Sequence, residues 1–156
     1  MKSASIVIAA SLMFGLSAQL FAQTVEVSGV WARATVPGQK ATGAFMHLMA
    51  PNGARLVAAS TPVAGVAEVH EMKLEEGVMR MRAVSGGVEL PPGKMVELKP
   101  GGYHLMLMDL KQPLQKESTI ALTLVFQDAK GSKTQTELKV PVGMQPPADA
   151  GALSKP

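Results

Sequence analysis

Apolar and polar residues take turns along most of this chain, in short runs cut by Gly, Pro and Asn. Alternation with a period of two gives a strand one face for a core and one for solvent. The pattern predicts nine strands, at 25–31, 43–50, 55–61, 65–72, 78–84, 95–99, 103–110, 119–127 and 136–142. Turn chemistry separates them: Val36-Pro37-Gly38, Pro51-Asn52-Gly53, Glu75-Glu76-Gly77, Gly86-Gly87, Pro91-Pro92-Gly93 and Pro100-Gly101-Gly102. Beyond the N-terminal segment, no window sustains the 3.6-residue spacing of a long helix. About nine short strands spaced this way predict an all-β fold, either a Greek-key β-sandwich or a small barrel. At 156 residues the chain is long enough for one such domain.

The two ends read differently. Lys2 followed by an apolar run from Ala4 to Leu16 matches a secretory signal peptide, with cleavage expected after Ala22. The run is shorter than the roughly 20 residues needed to span a bilayer. Export to the periplasm is therefore expected, without a lipid anchor because the sequence has no cysteine. The expected organisation is a signal peptide at 1–22, a domain at 23–143 and a disordered tail at 144–156, rich in Pro, Ala and Gly.

Composition narrows the chemistry. Having no cysteine removes disulfides, thiolate metal sites and thiol redox together. The net charge of +3 is spread along the chain, so no basic patch for nucleic acid or lipid is expected. Methionine is abundant, with eleven residues, nine of them after Ala22. A flexible thioether fills cores, and it also binds soft metals.

The methionines cluster with histidines. If Leu74-Glu75-Glu76-Gly77 closes a hairpin with Leu74 facing Gly77, His70 lies opposite Met81 and Met72 opposite Met79. All four then share one face, with facing Cβ atoms roughly 4.5–5.5 Å apart. A second cluster puts His104, Met106 and Met108 on one strand face and Tyr103, Leu105 and Leu107 on the other, which is the expected core face. Two imidazoles with two thioethers make a neutral, soft donor set. It suits Cu(I) better than zinc, and it does not suit magnesium or calcium.

These residues also carry a family resemblance. The chain resembles the periplasmic copper chaperones called PCu(A)C, which supply the copper A centre of cytochrome c oxidase. Their signature is His, ten residues, Met, about twenty-one residues, then His-x-Met. Here His70 is followed by residues 71–80, Met81, residues 82–103 and His104-Leu105-Met106, so the second gap is one residue longer. Similar stretches are Trp31-Ala32-Arg33-Ala34-Thr35 with Pro37-Gly38, Glu76-Gly77-Val78-Met79, and Lys99-Pro100-Gly101-Gly102-Tyr103-His104. The resemblance implies a cupredoxin-like barrel that binds copper as Cu(I) through His70, Met81, His104 and Met106. It implies delivery to a cytochrome c oxidase subunit, sometimes together with a thioredoxin-like copper protein. Some relatives carry a Cu(II)-binding tail rich in His and Met. This tail has only Met144, so no second site of that kind is expected.

Other residues take lesser parts in this reading. Met72, Met79 and Met108 are expected to flank the metal, and Glu71 and Asp109 to orient the imidazoles. His47 is assigned a structural or surface role, and Trp31 a structural one near the metal. Nucleophile and phosphate-loop motifs are lacking, so no enzyme activity is expected. A blue-copper electron carrier needs a Cys with its histidines, which this chain cannot supply. The alternative from another class is a non-metal β-sandwich assembly or adhesion module whose methionines only pack. The protein is expected to act as a monomer.

Overall fold

The computed structural model describes residues 24–148. The expected signal peptide and most of the expected tail lie outside the described residues. Among the described residues there are ten strands and no helix. They are β1 (Glu26–Arg33), β2 (Ala41–Met49), β3 (Ala54–Ser60), β4 (Ala64–Glu75), β5 (Val78–Ala83), β6 (Val88–Leu90), β7 (Met95–Leu98), β8 (His104–Leu110), β9 (Thr119–Gln127) and β10 (Lys133–Gly143).

One run of neighbours is β5-β4-β8-β2-β1, and a second is β10-β9-β3-β6; the two join where β1 meets β10 in a short parallel pairing. Their inward residues form one contiguous core. Ala44, Met46, Leu48, Leu105 and Leu107 come from the first run, and Leu56, Leu122, Leu124, Phe126 and Val140 from the second. Each buried leucine contributes about 1.5–3 kcal/mol of hydrophobic stabilisation. Trp31 and Phe45 pack together with ring centroids 4.8 Å apart and planes tilted by 38°.

The tenth strand, β6, is the one the pattern misses. Three residues between Gly86-Gly87 and Pro91-Pro92 are too few to show alternation, and only pairing with β3 makes them a strand. Gly87 is needed there: its φ is +84°, and a side chain would strike the backbone of Leu56 on β3. Tyr103 is not a core residue. It precedes β8 and is exposed, while Leu105 and Leu107 are buried.

Strand β2 organises the functional face. Its first half, Ala41 to Ala44, pairs with β8, and its second half, Met46 to Met49, pairs with β7. Two strands therefore share one edge of β2 in sequence. Inward residues Ala44, Met46 and Leu48 are buried, and the odd-numbered residues of β2 take the opposite face.

Candidate metal centre

The hairpin of β4 and β5 turns at Glu76-Gly77, both with positive φ (52° and 79°). Two central residues of that kind make a tight turn whose twist matches the strands. The register is therefore two residues away from the expected one. Met72 faces Met81, Leu74 faces Met79, and His70 faces Ala83 instead of Met81. A shift of two preserves the pleat, so His70, Met72, Met79 and Met81 still share a face.

On the other side of β4, His70 faces His104 and Glu68 faces Met106. The two imidazole centroids lie 6.2 Å apart. Both histidines are buried, at 9% and 7% exposure. Met106 in turn sits beside Gly43 on β2. A Cβ on Gly43 would run into the Phe45 ring, so that ring folds over the glycine next to Met106. Phe45, Gly43, Met72, His104 and Met106 line one shallow depression, together with Arg33 and the Pro100-Gly101 turn.

Met81 reaches this place from two strands away. Adjacent strands are roughly 4.8 Å apart, so its side chain must arch over β4. A long unbranched thioether can do that. It places Sδ 3.2 Å from Nε2 of His104. His104 Nδ1 lies 2.9 Å from the carbonyl oxygen of Gly102, to which it donates. In the neutral ring Nε2 then carries a bare lone pair, aimed at the sulfur's own lone pairs. In that form no proton joins these two atoms. A shared soft cation would.

His70 is held in the same manner. Its Nε2 lies 3.3 Å from Glu68 Oε2, and its buried Nδ1 has no hydrogen-bond partner. If Nε2–H donates to the carboxylate, Nδ1 is left as an unused donor atom for a metal. A metal-ligating histidine commonly gives its other N–H to a carboxylate or a backbone carbonyl. Both patterns occur here.

The expected orienting residues were Glu71 and Asp109, and the structure assigns them elsewhere. Glu71 pairs with Arg82 at 3.0 Å, and Asp109 packs against Gly65. Neighbours of a ligand on a strand point to the opposite face, whereas residues two positions away share its face. Glu68 precedes His70 by two, and Gly102 precedes His104 by two. That offset of two is legible in the sequence. The expectation is that Glu68→Gln weakens metal binding by about 10–100-fold, the usual cost of removing such a partner. Isothermal titration beside the unaltered protein checks this.

The remaining methionines divide. Met72 lines the depression, Met79 lies outward along the hairpin opposite Leu74, and Met108 faces Val66 and Ala41, beyond Met106. His47 is not drawn into this cluster. It pairs in register with Glu97, its Nε2 4.0 Å from the carboxylate. A hydrogen bond from Lys99, with that ammonium's charge, holds the Glu97 carboxyl below the usual carboxylate range. Trp31 is one ring removed from the depression, stacked behind Phe45. Among the described residues no three His, Cys, Asp or Glu side chains gather to hold a metal. A metal at this face would have to take thioether ligands.

The fold is cupredoxin-like, of the class seen in PCuAC domains. The Cu(I) form of DR1885 from Deinococcus radiodurans matches with a TM-score of 0.56 at 26% identity, over 83% of this chain and 84% of that one. The copper-bound PCuAC domain from PmoF2 matches with a TM-score of 0.59 at 20% identity, over 78% and 93% of the two chains. The apo PCuAC domain from PmoF1 gives 0.57 at 24% identity, over 76% and 93%. Residues 25–142 match the family described as "Putative lipoprotein LpqE-like", and the chain belongs to that family. A relative, "Putative lipoprotein Lxx21020" of Leifsonia xyli subsp. xyli, is 32% identical over 118 residues, 76% of this chain and 71% of its own.

Proposed function

We propose that this protein is an exported copper chaperone that carries one Cu(I) on His70, Met81, His104 and Met106. The observation that supports this most is the approach of His104 Nε2 to Met81 Sδ at 3.2 Å, which in the neutral ring sets two lone-pair donors side by side. The donor set is two neutral imidazoles and two thioethers, which favours a soft monovalent ion. DR1885, a relative in fold, has a Cu(I) form.

The ligands differ in accessibility, and that difference suits transfer. The histidines are buried and fixed by Gly102 and Glu68, whereas Met81 is 50% exposed on β5, an edge strand. An incoming acceptor can displace the outer thioether first, while the imidazoles retain the ion. The chemistry is ligand exchange without turnover, so no catalytic residue is assigned. The acceptor is the copper A subunit of a cytochrome c oxidase, with a thioredoxin-like copper protein as a further partner. Delivery occurs in the periplasm after signal-peptide cleavage, in keeping with the lipoprotein names of its family.

A competition titration tests the reading. The purified protein should take one tightly held Cu(I) against a chromogenic Cu(I) chelator and prefer it to Zn(II). Absence of binding, or equal affinity for zinc, would leave a packing role for the methionines.

A further inference from the structure

The outer face of β2 carries a third His-x-Met motif, His47-Leu48-Met49, beyond the cluster described above. Its neighbour at this end is β7, in a register that puts Glu97 opposite His47 and Met95 opposite Met49. Facing positions on adjacent strands hold their Cβ atoms roughly 4.5–5.5 Å apart, so an imidazole, two thioethers and a carboxylate form a two-by-two patch. The 4.0 Å approach of His47 Nε2 to Glu97 Oε1 shows that these side chains share a face. On the other side of β2, Glu26 faces Met49 and Ser28 faces His47.

Packing does not account for this patch. The inward residues of the same strands, Met46, Leu48 and Leu98, are buried and supply the core. His47 and Met49 lie only half-buried, and Met95 is 48% exposed. An exposed thioether facing another thioether, next to an imidazole and an anion, buries little apolar surface. It does assemble donors for a soft cation, beside a Glu97 carboxylate whose other oxygen pairs with Lys99 at 2.8 Å.

We propose that His47, Met49 and Met95 form a second, weaker site for a soft monovalent cation of the Cu(I) and Ag(I) type, with Glu97 beside it. It lies on the same sheet face as the first site. Gly43, which adjoins Met106, precedes His47 by four residues, roughly 13 Å along a strand at about 3.3 Å per residue. Two ions can therefore be held at once. The greater exposure of its ligands makes this the site that fills second.

Methyl NMR of the whole protein labelled at methionine ε-carbons, titrated with Ag(I), separates the sites without any mutation. The first equivalent should move the Met81 and Met106 methyl signals, and the second should move those of Met49 and Met95. His47→Ala should weaken the second phase by about tenfold or more, the scale on which a site's supporting groups act, and leave the first unchanged. Met49 and Met95 signals that stay still through several equivalents of Ag(I), or that move identically in His47→Ala, overturn the proposal. Should Met49 and Met95 respond while Met81 and Met106 do not, this site stands and the reading of the first one fails.

Discussion

Replacing His104 or Met81 by alanine is expected to lower affinity for the first Cu(I) by more than about 100-fold. Removing a partner that only orients a ligand already costs 10–100-fold, and these two residues are assigned as the ligands themselves. His104 loses more than its own nitrogen. Its ring is tied to the Gly102 carbonyl at 2.9 Å and also gives Met81 its contact, so two donors are released together. Met81→Ala is the cleaner variant, because Met81 is exposed on an edge strand and its removal leaves no cavity in the core. His47→Ala should leave the first equivalent unchanged. A chelator competition across the three variants, with circular dichroism to confirm the fold, reads the order directly. If His47→Ala proves the damaging change for the first ion, the assigned ligand set is wrong.

The second large effect is expected in the cell. A strain that lacks this protein should lose cytochrome oxidase activity when copper is scarce and regain part of it when copper is added. The reason is mass action: a carrier matters when free ion is too dilute to load the acceptor unaided. A double variant with His104→Ala and Met106→Ala should fail to restore activity under scarcity. Both residues lie on β8, but neither supplies the leucine core of that strand, which is Leu105, Leu107 and Leu110. The variant should therefore accumulate as a folded protein. Oxidase activity equal to that given by the intact protein would refute copper delivery as its role.

Met79 and Met81 show how far a local pattern reaches. Alternation placed them on the face of His70 and Met72, and the structure keeps them there. The partner assignment failed because a two-residue register shift leaves every side chain on its face. The hydrophobic pattern is blind to that shift. The deciding factor is backbone conformation at Glu76-Gly77, where two consecutive positive φ values set the two-residue turn one position later than expected. Glu71 and Asp109 lie an odd number of residues from the ligands on their own strands, which means the opposite face, whereas Glu68 and Gly102 hold the favourable even offset.

The sequence by itself determined the all-β class, the faces on which most of the chemistry lies, and the softness of the donors. Those follow from a period of two, from turn residues, and from a chain with many methionines and no cysteine. Tertiary structure decided which donors meet. His70 faces His104, 34 positions further along the chain, because β4 pairs with β8. Met81 reaches His104 by arching over the strand between them. His47 and Met49 acquire Met95 and Glu97 because β8 and β7 share one edge of β2. Each of these depends on long-range strand pairing, whose energy comes from burying a common core, and no local run of residues encodes which strand will lie alongside.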